Sequence, residues 1–265
     1  MRKVQLTAKI RDNRLLSGRY YKLTLDAGII AKSALPGQFV MVKAGEGTDP
    51  LLRRPLSVYG AGRYLELLYE VVGRGTKLLS QMKAGESLDL LGPLGNGFDI
   101  KSSKTKYRPL FVAGGIGVAP LVFLAFSLSA QRKFSKKRPM IALIGGRTSA
   151  HVLCAADLRK AGCDVRIATD DGSRGYRGRV TGLLEEILRL PENDDSYLVY
   201  GCGPKPMLKA VSDVSSRYNV PAQISLESHM ACGIGACLGC VVSTKGGYRR
   251  VCNDGPVFSA GDIVW

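Results

Sequence analysis

The chain has 265 residues, 45% of them hydrophobic and 23% charged, which suits a soluble globular protein with room for two or three domains. Its formal net charge is +16, and the densest basic run, residues 101–138, holds nine Lys and Arg and no acid. No zinc-finger or RNP-type motif accompanies these charges, so a nucleic-acid binder is set aside; the basic surface is read as solvated, or as facing a phosphate-rich cofactor or an acidic partner. The seven cysteines are odd in number and no secretory signal precedes them, which argues against a complete disulfide framework and for reduced, cytoplasmic thiols.

In chain order, residues 1 to about 100 read as β. The runs "KVQLTAKI", "YYKLTLDA", "GQFVMVKA", "PLSVYGA", "RYLELLYEVV" and "ESLDLLGP" are short, partly alternating and punctuated by Gly, Pro, Asn or Asp. Six strands at this spacing predict a small antiparallel barrel. Within it, "LLRRPLSVYG" pairs two arginines with a serine, a composition suited to a dinucleotide's pyrophosphate and ring system; an exposed basic edge strand would look the same. "GRGT", residues 73–76, is read as a glycine turn whose N–H groups face phosphate.

From about 105 to 222 strands alternate with helices, which predicts a parallel sheet with crossover helices. The uncharged stretch 110–130 is long enough to span a bilayer, but "AGGIGVAP" puts glycines and a proline at its centre. It is read as a buried strand, a turn and a buried helix, with no membrane span. That strand–glycine–helix context lets a backbone approach phosphate at a helix N-terminus, here through Gly114, Gly115 and Gly117. "TDDGSRGYRG", with Asp170, Asp171 and Arg174, and "YGCGP", with Cys202 and Gly203, end later strands on the same edge, where ligands of open α/β sheets bind. A carboxylate at Asp171 would accept from a ribose 2′-hydroxyl and repel a 2′-phosphate, favouring NAD over NADP; Arg174 argues the other way.

Residues 223–265 form a glycine-rich third unit with the spacing Cys232-x4-Cys237-x2-Cys240-x11-Cys252. Structural zinc usually takes two separated C-x2-C knuckles or paired histidines, and the chain has one knuckle and two histidines. The x4-x2 spacing with a distant fourth cysteine is the plant-type [2Fe–2S] pattern; zinc and unrelated buried thiols are the alternatives. Cys154, Cys163 and Cys202 read as buried residues.

Taken together, "PGQFV", the Arg54–Ser57 element, "GGIGVAP" and "YGCGP" resemble the ferredoxin–NADP reductase superfamily, in that family's order. With the C-terminal "SLESHMACGIGACLGC" and "VCNDGPVF", the whole chain is similar to the electron-transfer subunits of class 1B dihydroorotate dehydrogenases. The superfamily's Arg-x-Tyr-Ser element has Leu56 here in place of Tyr. The resemblance implies an α+β multidomain chain: an FAD-binding antiparallel β-barrel (1–100), an α/β nicotinamide domain (101–222) and a small [2Fe–2S] domain (223–265). It implies FAD contacts from Arg54, Pro55, Leu56, Ser57, Leu68, Tyr69, Glu70, Gly75 and Thr76, and iron ligation by Cys232, Cys237, Cys240 and Cys252. It further implies that electrons from the FMN of a separate catalytic subunit, in a heterotetramer of two of each, pass through the cluster and FAD to NAD+ in pyrimidine biosynthesis. Two other readings stay open: a related reductase subunit of the ferredoxin-dependent transhydrogenase or sulfide dehydrogenase type, and a basic nucleic-acid or scaffold protein with a zinc knuckle.

Overall fold

The computed structural model describes residues 3–45, 47–100, 107–131, 138–189 and 196–265. Seven of the nine Lys and Arg in the run 101–138 fall outside these residues, as does the start of the expected second domain at 101–106.

The first hundred residues form a closed barrel of β1 (Val4–Ser17), β2 (Tyr20–Asp26), β3 (Phe39–Val42), β4 (Arg54–Gly60), β5 (Leu65–Glu70) and β6 (Ser87–Leu94), in the order β1-β2-β5-β4-β3-β6. Every pairing is antiparallel. Alternation puts Ala8, Ile10, Leu23, Leu25, Val40, Val42, Val58, Leu65, Leu67 and Leu90 into one core. The expected six strands are present. β1 runs past Ile10, where the sequence reading ended it. Val4–Lys9 pairs with β6 and Lys9–Ser17 with β2, so one bent strand joins the two sides of the barrel, with a register shift between Ile10 and Asp12. The polar run Arg11–Arg14 hid this continuation, because it lies toward solvent rather than in the core.

Two helices interrupt the barrel, α1 (Gly28–Ser33) and α2 (Arg74–Gln81). The second corrects the reading of "GRGT" as a turn: Gly73 is its N-cap, and the chain from Arg74 is helical. With no acid and two glycines in the motif, the sequence carries a turn signal that tertiary packing of Leu79 overrides.

The second region holds β7 (Arg108–Gly114), a single 3-10 turn at 115–117, α3 (Val118–Ser129), β8 (Met140–Gly146), α4 (Ala155–Lys160), β9 (Cys163–Thr169), β10 (Tyr176–Arg177), α5 (Val180–Arg189), β11 (Tyr197–Cys202) and α6 (Lys205–Arg217). β12 (Ala222–Ser225) follows, then the hairpin β13 (Val241–Thr244) and β14 (Gly247–Arg250), and β15 (Val257–Ser259). The sheet order is β10-β9-β8-β7-β11-β12-β15, parallel except for β15, which runs antiparallel to β12. The chain starts in the middle at β7, moves one way to β10, then crosses to β11. The strand order therefore reverses between β7 and β11, and a crevice opens at their carboxyl ends.

Among the described residues no helix is long and apolar enough to cross a membrane. The uncharged stretch 110–130 divides into β7, which is wholly buried, and α3, which packs between the sheet and β4 of the barrel.

Candidate functional site: a flavin element, a nucleotide edge and a four-cysteine loop

β4 carries the first element. Leu56 points into the barrel core, while Arg54, Pro55 and Ser57 are half-buried on its rim. The two adjacent arginines have different surroundings. Arg53 donates to both carboxylate oxygens of Asp89 at 2.7 and 3.0 Å. Burial opposes ionisation of Asp89, but the Arg53 hydrogen bonds outweigh it and hold the carboxyl below its usual range. Arg54 has no carboxylate partner among the described residues; it donates to the Leu52 carbonyl and lies on the first turn of α2. A Cβ on Gly75 would sit 2.5 Å from Arg54 Nε, so only glycine admits the guanidinium there.

The N-terminus of α2 has no acid in its first turn. Its first N–H groups have no intrahelical acceptor. Thr76 Oγ1 accepts from Val72 N and Gly73 N at 3.0 and 3.2 Å, which closes the entry loop. A guanidinium beside a helix N-terminus places like charge on like charge, an arrangement that an anion between them stabilises. This cradle fits a diphosphate, and the residues present therefore fit the FAD that the barrel implies.

β5 pairs with β4 and presents Leu68, Tyr69 and Glu70. Leu68 packs toward the sheet domain and Tyr69 into the barrel, stacked on Tyr21 with ring centroids 5.5 Å apart. The Glu70 carboxylate is ion-paired to Arg19 at 2.5 Å.

The second element is the crevice between β7 and β11. A Cβ on Gly117 would sit 2.5 Å from the Cys202 carbonyl oxygen, so the turn after β7 and the end of β11 touch backbone to backbone. Gly114 and Gly203 meet in the same place, with Gly115 in the adjoining turn. Cys202 pairs in register with Ser225 of β12; burial pushes its thiol up to about 12, against a hydrogen bond from Ser225. At the end of β9, Asp171 is exposed. Its Oδ1 accepts from the Ser173 hydroxyl at 2.7 Å and from Ser173 N at 3.0 Å, which holds the carboxyl below its usual range. Asp170 N donates to the Gly146 carbonyl, and Arg174 N to Thr169 Oγ1 at 3.0 Å, so this loop spans the ends of β8 and β9.

The third element is the cysteine loop. The thiols stand as two pairs. Cys237 N donates to Cys232 Sγ at 3.5 Å and Cys252 N to Cys240 Sγ at 3.4 Å. No three His, Cys, Asp or Glu side chains among the described residues converge on one point. The Cys232-x4-Cys237-x2-Cys240-x11-Cys252 spacing is the plant-type pattern, and these residues fit a [2Fe–2S] cluster. Burial resists ionisation of Cys232, but backbone N–H groups of Cys237, Ile234 and Ala236 bring it down to about 6. Burial and then the neighbouring Cys240 push Cys252 up to about 12. Cys154 and Cys163 are likewise pushed up to about 12 by burial and lie in the sheet-domain core.

Arg250 holds this loop together. It donates to Gly235 O at 3.1 Å and, in a fork, to both oxygens of Asp254 at 3.1 Å. The loop sits on the barrel. Gly233, at φ +71°, packs on Met41, and a Cβ there would lie 2.5 Å from Met41 Cγ. Cys240 and Cys252 share a core with Phe39 and Met41 of β3. Met41 pairs with Pro55, and Phe39 with Ser57. One strand thus separates the cysteine loop from the Arg54–Ser57 element. The sequence reading missed Met41, Arg53 with Asp89, and Arg250 with Asp254. Only the last pair carried a local signal, a cation four residues before an acid.

Comparison with known proteins agrees with this arrangement. Residues 227–264 match the iron-sulfur cluster binding domain of dihydroorotate dehydrogenase B, and residues 111–213 an oxidoreductase NAD-binding domain. The chain is 41% identical over 263 residues to the dihydroorotate dehydrogenase B (NAD(+)) electron transfer subunit of Geobacillus kaustophilus strain HTA426, covering 96% of each chain. It is 42% identical over 266 residues to the subunit of that name from Caldanaerobacter subterraneus subsp. tengcongensis, covering 98% of this chain and 99% of the relative. Among solved structures, one described as an NADH-dependent reduced ferredoxin-NADP oxidoreductase aligns with a TM-score of 0.83 at 27% identity, over 97% of this chain and 90% of that one. A Neisseria gonorrhoeae ferredoxin NADP+ reductase with bound FAD and NADP shares the fold, with a TM-score of 0.63 at 16% identity over 81% of this chain and 91% of that one. The relatives are matched end to end, through barrel, sheet and cysteine loop alike, and the resemblance read from the motifs is borne out: the chain belongs to the family of dihydroorotate dehydrogenase B (NAD(+)) electron transfer subunits.

Proposed function

We propose that the chain carries electrons from the FMN of a dihydroorotate-oxidising catalytic subunit, through a [2Fe–2S] cluster and FAD, to NAD+ in pyrimidine (UMP) biosynthesis. The observation that carries this reading is the paired-cysteine loop seated on β3, the strand next to the Arg54–Ser57 element. Bound FAD would supply the interconversion of two-electron and one-electron transfer.

The chain's own part is binding and placement. Arg54 and the first turn of α2, with Gly75 and Thr76, hold the flavin cofactor's diphosphate. Pro55, Leu56 and Ser57 shape the ring end of the site, with the backbone of Leu68, Tyr69 and Glu70 beside it. Gly114, Gly115, Gly117, Cys202 and Gly203 line the nicotinamide nucleotide's crevice at the point where strand order reverses. Asp171 accepts from the ribose 2′-hydroxyl, so NADH is preferred to NADPH. Cys232, Cys237, Cys240 and Cys252 would hold the [2Fe–2S] cluster, which would carry one electron at a time. Residues 1–100, 101–222 and 223–265 act as flavin, nucleotide and cluster units. The partner is an FMN-containing catalytic subunit, two of each forming a cytoplasmic heterotetramer. The cluster unit offers it the exposed Cys237 with its exposed chain neighbours Ile234, Leu238 and Val241.

The test is reconstitution. The chain alone should reduce dyes with NADH and leave dihydroorotate untouched, and adding the catalytic subunit should create dihydroorotate-dependent NAD+ reduction. Cys240→Ser should abolish that coupled reaction while keeping dye reduction. Oxidation of dihydroorotate by the isolated chain would overturn the division of labour.

A further inference from the structure

The Tyr69 hydroxyl and the Asn13 side chain have no role above, yet they form a hydrogen-bond chain that ends on the flavin-phosphate helix. Tyr69 is 1% exposed, and its hydroxyl donates to Asn13 Oδ1 at 2.9 Å. With its oxygen engaged in this way, the Asn13 amide turns its nitrogen toward α2, where Nδ2 donates to the carbonyls of Leu79 at 2.8 Å and Met82 at 2.9 Å. These carbonyls lie at the C-terminal end of α2, 66 and 69 residues away in sequence. The last carbonyls of a helix lack intrahelical donors. Here the Leu79 carbonyl accepts from the C-cap Met82 N at 3.2 Å, and the Asn13 side chain from β1 adds a second donor to it and donates to the Met82 carbonyl just beyond the helix.

α2 has only eight residues, too few to be stable by itself, so its place is set by what holds it. Leu79, fully buried, fixes one face. Asn13 fixes the C-terminal end and with it the direction in which the opposite end points. That opposite end is the turn carrying Gly75 and Thr76, against which the Arg54 guanidinium lies.

We propose that Asn13, oriented by the Tyr69 hydroxyl, is a positioning residue for the flavin-phosphate site: it anchors the far end of α2 so that the first-turn N–H groups and Arg54 converge on the cofactor's diphosphate. Neither residue touches the phosphates. This rests on the reading of α2 as the diphosphate site, and the experiment separates the two.

The flavin-stripped full chain is titrated with FAD and with riboflavin, which has the ring system and no phosphate, for the wild type, Asn13→Leu, Tyr69→Phe and Arg54→Ala. Arg54→Ala tests the site itself and should weaken FAD by roughly tenfold or more, the scale of a charged hydrogen bond. Asn13→Leu should weaken FAD by about tenfold and leave riboflavin unchanged. Tyr69→Phe, which keeps the packed ring, should weaken FAD by about threefold with riboflavin again unchanged. Should Asn13→Leu fail to fold, Tyr69→Phe decides. If Arg54→Ala weakens FAD and the foldable anchor variants do not, the anchor is wrong and the phosphate site stands. If the anchor variants weaken FAD and riboflavin equally, the pair is merely structural and the proposal falls. If Arg54→Ala leaves FAD affinity intact, the phosphate site and the anchor built on it both fall.

Discussion

Two neighbouring arginines of identical chemistry do different work here, and their surroundings decide which does what. Arg53 forks onto Asp89 and ties β4 to β6; Arg54, one residue on, faces the open end of a helix. The Asp89 carboxyl is held below its usual range, so the sign of its pH effect is fixed. The stability it contributes is fully present above its unfolded pKa of about 4 and is lost as pH falls through its lower folded value. The contribution is about 1 kcal/mol, because both side chains are partly exposed. Asp89→Asn should therefore lower the melting temperature at neutral pH and narrow its gap to the wild type as the pH drops below 4. A gap that stays constant with pH would show that packing, not charge, is at stake. From the sequence, "RR" read as one basic patch. Nothing local distinguishes the two, because the acid that engages Arg53 comes from a strand 36 residues later.

At the scale of elements, periodic patterns predicted the barrel strands, the crossover helices and the glycine-rich strand ends. They did not predict α1, the strands of the third unit or α2; α2 and β15 show why. α2 begins on glycines that carry a turn signal, and β15 has three residues and exists only because β12 is there to pair with it. Both depend on contacts distant in sequence. The start of α2 also separates stability from binding. Gly75 has no strained backbone, so Gly75→Ala should gain roughly 0.5–1 kcal/mol of helix stability. Its new Cβ would displace Arg54, so FAD affinity should fall in the same variant. A raised melting temperature of the flavin-free chain together with a weakened FAD titration is the expected pair of results; unchanged FAD binding would mean that Arg54 does not meet the phosphates.

Across the whole molecule, the proposed electron path crosses the contact between the cysteine loop and the barrel. The spacing of the thiols was readable, since the x4-x2-x11 pattern is local. Where the loop docks was not, because Met41 looks like any core residue of an alternating strand. Gly233 makes that contact and lies in the left-handed region that disfavours side chains. Gly233→Ala adds strain of about 1–2 kcal/mol and a clash with Met41. Iron, sulfide and FAD contents should stay near wild type, as should reduction of the flavin by NADH. Passage of electrons onward to the cluster, followed by stopped-flow absorbance, should slow. Equal rates in both proteins would show that the Met41 contact does not set the path.

The pairing of β12 with β15 bears on the loop in another way. Gln223 lies opposite Ser259 and Ser225 opposite Val257, so the chain leaves the sheet and comes back to the place it left. Everything between, including Cys232, Cys237, Cys240 and Cys252, is a closed detour. Its closure cost rises only slowly with its length. Such a detour can be lengthened, shortened or exchanged without rerouting the rest of the chain. The electron relay is in this sense an interchangeable part, fitted at the margin of a sheet whose strand order would be the same without it.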